Sequence, residues 1–167
     1  MKLFESYINK LDLSDADKEL VLRFFVAFSL FECALKRAGF VYTRNGRVFT
    51  NWKEFEESLE ERFNPHRTEE LERAVGYLKE KPPKKQKVED KKLDWEKIPR
   101  PDATPSIKWL LDMVNIIRNN LFHGGKYPID PIEEPARNKK LLESGLIILK
   151  ECLKLNDEVE RELNNII

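Results

Sequence analysis

The sequence predicts an all-α fold, an antiparallel helical bundle with one small β-hairpin near residues 40–50, and three observations lead there. Apolar residues recur at spacings of three and four along most of the chain, the period of helices that bury one face. Gly39, Asn64-Pro65 and Asn156-Asp157 interrupt that pattern at helical lengths. Between two short β-prone runs stands Asn45-Gly46, the pair that best accommodates a tight hairpin turn.

The elements follow in order. Ser14 with Asp17 makes a capping-box start and Gly39 a stop, which predicts a helix over about 14–38. Its stretch Leu20–Leu35 is apolar nearly all round but too short for a membrane span and broken by Arg23, Ser29 and Glu32, so it reads as a buried helix. Such a helix needs cover on most sides, from its own chain or from a second subunit. Phe40-Val41-Tyr42-Thr43 and Arg47-Val48-Phe49-Thr50 flank the Asn-Gly turn as strands. Asn51 and Glu54 cap a helix over about 52–62, and Thr68 starts another running to about 80. Five of the nine prolines fall between Pro82 and Pro105, and Lys81–Lys92 is lysine-rich with Val88 as its one apolar residue, which reads as a mobile surface loop over about 81–104. Lys84, Lys85, Lys87, Lys91 and Lys92 there are first a solvated insertion and second an RNA-backbone contact. Thr104-Pro105 opens a helix whose apolar face holds Ile107, Leu110, Val114, Ile117 and Leu121, with Asp112, Asn115, Asn119 and His123 opposite. A final helix begins near Pro135, buries Leu142, Leu146, Leu149, Cys152 and Leu153, and breaks at Asn156-Asp157 before a last helical stretch.

Composition limits the function. At 167 residues the chain reads as one domain over 1–167 with a real core. Thirty acidic residues balance thirty basic ones, so nucleic-acid binding has to rest on local charge. Cys33 and Cys152 sit in apolar helical runs, which points to reduced, buried thiols in a cytoplasmic protein and away from a disulfide framework or a zinc site. No cofactor is implied. The start Met1-Lys2-Leu3-Phe4-Glu5 is amphipathic and has no secretory-signal pattern.

The chemistry concentrates in Arg118-Asn119-Asn120-Leu121-Phe122-His123, followed by Gly124-Gly125-Lys126. Imidazole can take and give a proton near neutral pH, and guanidinium grips a phosphate with two parallel hydrogen bonds while staying charged. An Arg beside a polar residue, then roughly four to six intervening residues and a His at the end of an apolar-periodic helix, resembles the motif of the HEPN domains, a family of small helical proteins that includes many RNases. The resemblance covers about ten residues as chemistry and most of the chain as a fold. It implies a metal-independent endoribonuclease acting through ribose 2′-hydroxyl attack, with 2′,3′-cyclic phosphate and 5′-hydroxyl products. Arg118, Asn119 and His123 are then the catalytic candidates, Asn120 and Lys126 the substrate contacts, and Glu32 and Asn115 the supporting residues. Asn119 is placed to orient His123, since residues four apart share a helical face.

An ideal helix turns 100° per residue, so Arg118 stands about 140° round from His123. One way to unite them is to combine two protomers, and in HEPN dimers the motif helices of both chains line one cleft. The implied partners are an RNA substrate, a second copy of the chain and, for a toxin of this family, a cognate antitoxin. In toxins neutralised by a nucleotidyltransferase a tyrosine often stands two residues after the motif His; Gly125 holds that position here and Tyr127 is the nearest tyrosine, so that route of inactivation is not expected. A nuclease of phage defence is a further reading, and a noncatalytic HEPN-like dimer that binds RNA, nucleotide or protein is the alternative.

Each residue also has a plainer role. His123 beside a glycine can cap the last carbonyls of its helix. Arg118 can pair with Glu32, which itself has Lys36 one turn on. His66 reads as a loop residue, and Trp52, Trp95 and Trp109 as packing residues.

Overall fold

The computed structural model describes residues 14–122 and 135–166. The amphipathic start, the motif residues His123, Gly124, Gly125 and Lys126, and residues 127–134 lie outside the described residues.

Helix α1 (Asp15–Arg37) begins at the expected capping box: the Ser14 hydroxyl accepts from the Asp17 amide at 3.2 Å, and the Asp17 carboxylate accepts from the Ser14 amide at 3.3 Å. It stops at Gly39, whose φ of 92° turns the chain so that the Gly39 amide meets the Lys36 carbonyl and the Phe40 amide the Leu35 carbonyl. Strands β1 (Val41–Arg44) and β2 (Arg47–Thr50) pair antiparallel, with Tyr42 opposite Phe49 and Arg44 opposite Arg47. Asn45 and Gly46 both take positive φ, the two-residue turn their identities predict. Helix α2 (Trp52–Leu59) starts at Asn51, whose side-chain oxygen accepts from the Glu54 amide. It ends before the expected residue 62, and just past its end the Arg62 and Phe63 amides share the Leu59 carbonyl in a turn. Thr68 caps α3 (Glu69–Glu80) by accepting from the Leu71 amide.

Part of the lysine- and proline-rich stretch differs from the expected loop. Strands β3 (Lys85–Glu89) and β4 (Lys92–Glu96) form a second antiparallel hairpin, so the chain is mainly helical rather than purely so. Its turn is Asp90-Lys91, both at positive φ without a glycine. On one side Lys87 pairs with Glu89 at 3.0 Å and with Asp94 at 3.1 Å, which offsets the poor strand preference of these residues.

Helix α4 (Ile107–Phe122) begins two residues later than the expected Thr104-Pro105 start; Ser106 caps it, its hydroxyl accepting from the Trp109 amide. Helices α5 (Pro135–Lys154) and α6 (Asp157–Asn164) follow, and Asn156 caps α6 by accepting from the Val159 amide.

Helix α5 packs on α1, α3 and α4, and α6 closes against α1. Phe24, Leu35, Phe55, Leu59, Leu78, Leu110, Ile117 and Ile148 are fully buried in one core to which all six described helices contribute. An aromatic cluster ties α1 to α2: Phe31 meets Trp52 and Phe55 with ring centroids 6.1 and 5.6 Å apart, and Phe40 meets Phe55 at 5.2 Å. At the crossing of α1 and α5, Gly145 lets the buried Phe24 ring come so close that an added Cβ would lie 2.8 Å from it. At the rim, Arg37 binds Glu162 at 2.7 Å and Arg67 binds the buried Glu151 at 3.1 Å.

Candidate functional site

The described part of the motif lies at the C-terminal end of α4, where Ile117 anchors the helix in the core and Arg118 emerges at its edge. The Arg118 guanidinium lies 5.5 Å from the centroid of the Phe28 ring on α1 and 5.2 Å from that of Phe122 on its own helix. It donates a hydrogen bond to the Asn119 side-chain oxygen at 3.0 Å. Two rings and an amide therefore restrict the guanidinium, and among the described residues most of its donors are open and no carboxylate pairs with it.

The other expected site residues divide. Asn119 is exposed and engaged with Arg118, whereas its expected partner His123 lies outside the described residues, as does Lys126. Asn120, expected among the substrate contacts, is instead buried and donates to the Lys84 carbonyl at 2.8 Å, tying the end of α4 to the start of β3. Glu32 accepts from the Thr50 hydroxyl at 3.1 Å, so it serves the first hairpin and not Arg118. Asn115 is half-buried on α4. His66 sits in the turn before α3, its imidazole 2.8 Å from Glu72, and Trp52 and Trp109 pack against the core. Cys152 is buried, its thiol pushed up by desolvation and then by Glu151, but Cys33 is exposed, contrary to the expectation for both cysteines.

The helix that carries Phe28 also leaves an apolar face open. Leu22, Phe25 and Val26 of α1 and Phe122 of α4 are 38–60% exposed, and the Phe25 and Phe122 rings touch at 4.9 Å between centroids. This patch adjoins Arg118 through Phe122. Among the described residues the cover expected for an all-round apolar helix is thus incomplete.

No family model, characterised protein or solved structure matches the chain. Among the described residues no cluster of His, Cys, Asp and Glu is placed to hold a metal ion, and no helix is long and apolar enough to cross a membrane.

A second titratable cluster was not singled out by sequence. Glu56 of α2 is buried, and its carboxyl is pushed up from 4.5 to about 7, chiefly by desolvation and then by the charge of Asp112 on α4. Asp112 is exposed, yet partial desolvation where it faces α2 raises its carboxyl too, against the opposing pull of Lys108 and Lys85. The available signal was the position of Glu56 between Phe55 and Leu59, both fully buried, on a helix too short to offer it another face.

Proposed function

We propose that the chain is a metal-independent endoribonuclease of HEPN type that works as a homodimer, a reading that joins the motif resemblance to the setting of Arg118. The observation that carries it is a guanidinium seated on Phe28 and Phe122, steadied by Asn119 and free of any carboxylate among the described residues. An arginine held without an acidic partner is prepared for an anionic ligand, and a phosphate is among the anions that its two-pronged geometry fits. The open apolar patch beside it supplies a face for a second copy, whose motif would complete the cleft.

In this scheme the ribose 2′-oxygen attacks the adjacent phosphorus and the bond to the 5′-oxygen breaks. His123 takes the 2′-hydroxyl proton or gives a proton to the leaving oxygen, with the second His123 of the dimer available for the other step. Arg118 stabilises the charge that grows on the non-bridging oxygens, the contribution for which a fixed cation at a partly dry surface is suited. The products are a cyclic phosphate and a 5′-hydroxyl.

The test is incubation of purified protein with mixed RNA in EDTA, with His123→Ala and Arg118→Ala alongside. Cleavage should persist in the wild type, leave cyclic ends, and fall about 10²- to 10⁴-fold in His123→Ala. Intact RNA with the wild type, together with a markedly lower melting temperature for His123→Ala, would support the second reading: a noncatalytic helical dimer in which His123 caps its helix. The exposed patch of Leu22, Phe25, Val26 and Phe122 serves that reading equally well.

A further inference from the structure

The first hairpin carries a group of side chains that the cleavage scheme does not use. Side chains alternate across a strand, so the register that pairs Tyr42 with Phe49 and Arg44 with Arg47 puts all four on one face. The two rings stack on each other, 5.4 Å apart and 20° from parallel, yet remain 48% and 40% exposed. Arg44, Asn45, Arg47 and Phe49 line one shallow depression at the tip.

Two details separate this face from an ordinary solvated surface. Like charges directly opposite on paired strands repel, and the Arg44–Arg47 pair has no acidic side chain bridging it among the described residues. The segment Ala38–Lys53 holds three cations and no acid in a chain whose charges balance at thirty each. The neutral total charge thus conceals a local concentration of positive charge beside two exposed rings.

We propose that this face of the β1–β2 hairpin binds single-stranded nucleic acid, with a base stacked on the exposed ring pair Tyr42 and Phe49 and the neighbouring phosphates held by Arg44 and Arg47. Rings and guanidiniums lie two residues apart along each strand, a step of about 7 Å, which sets a stacking surface next to a phosphate clamp. Aromatic surface interleaved with cations is what a strand with free base faces and charged phosphates requires; a duplex hides its base faces, and an acidic peptide has no use for the rings. The site does not depend on the cleavage reading, since none of its residues belongs to the Arg118 motif.

The experiment is fluorescence anisotropy with a labelled 2′-O-methyl oligoribonucleotide, which lacks the 2′-hydroxyl needed for cleavage, so binding is read apart from catalysis. Arg44→Ala with Arg47→Ala should weaken binding at least tenfold at low salt and flatten the slope of log K against log salt by about 1.4, or about 0.7 per lost phosphate contact. Tyr42→Leu keeps an apolar side chain in the hairpin but removes the ring; it should cost about 5- to 150-fold and leave the slope unchanged. Circular dichroism melts confirm that each variant is folded. Equal affinity for a duplex of the same sequence, wild-type binding by the folded variants, or binding to phosphatidylserine vesicles in place of the oligonucleotide would each overturn the proposal. A wild type that binds this strand but leaves RNA intact removes only the nuclease reading, and one that cleaves a dinucleotide but fails to bind removes only this one.

Discussion

Replacing Glu56 with glutamine should stabilise the protein at neutral and alkaline pH and leave it unchanged in acid. The unfolded carboxyl ionises near 4.5, whereas in the fold burial and the Asp112 charge hold it protonated up to about 7. Below 4.5 both states carry the proton and nothing is lost; between 4.5 and 7 the folded state retains a proton that the unfolded state has released, so stability falls as pH rises, and above 7 the loss is complete. At 1.36 kcal/mol per pKa unit this amounts to about 3 kcal/mol as an upper bound. Asp112 is exposed, and Lys108 opposes the shift, while Glu57 and Glu60 add to it weakly, so solvent screening reduces the expected figure to about 1–2 kcal/mol. Glutamine keeps the shape and removes the charge. Urea titrations at pH 4, 5.5, 7 and 8.5 should show the variant's advantage absent at the first point, emerging by the third and level by the fourth, equivalent to about 2–8 °C in melting temperature for a chain of this size. Asp112→Asn should give a smaller effect in the same direction by removing one cause of the shift. An advantage that is the same at every pH, or a Glu56→Gln variant less stable at pH 8.5, would refute the reasoning.

The two interior helix glycines should respond in opposite ways. Gly76→Ala in α3 meets open space and should gain about 0.5–1 kcal/mol, whereas Gly145→Ala drives a methyl into the buried Phe24 ring and should lose about 1–2 kcal/mol net; paired thermal melts check both. Lys91→Gly relieves one positive-φ residue of the second hairpin and should add up to about 1 kcal/mol, read by urea denaturation. Phe25→Glu charges the open patch without touching the core and should shift any dimer towards monomer in sedimentation at micromolar concentration. Arg118→Lys should lose most cleavage in the same EDTA assay, because lysine keeps the charge but loses the planar fork that accepts both ring faces and phosphate.

Much of the helical layout was legible because its signals are local. Ser14 with Asp17, Gly39, Asn51, Thr68 and Asn156 each act within a turn of the boundary they set, and the first hairpin is encoded by Asn45-Gly46. The second hairpin was hidden because its turn has no glycine and its strands are rich in lysine and acid; its charge pairs appear only once the strands are placed opposite each other. Glu32 shows the same limit. Sequence indicated that a carboxylate in an apolar helix needs a partner, but Thr50, eighteen residues on, is selected by the way the hairpin folds back over α1. Asn120 looked like a motif residue until its amide met the Lys84 carbonyl, a long-range contact that no spacing announces. Sequence singled out Arg118 and Asn119 as candidates, but the Phe28 ring that seats the guanidinium comes from α1 and is visible only once the helices pack.

The seating of Arg118 links assembly to chemistry. Phe122 is at once part of the open patch, in contact with Phe25, and one of the two rings that hold the guanidinium. Whatever covers Phe25 and Phe122 therefore also removes water from around the cation and strengthens its attraction for an anion. By reciprocity an anion bound at Arg118 favours the covered state by the same free energy. For the proposed homodimeric nuclease, specific activity should then rise with protein concentration, and added substrate should draw subunits together.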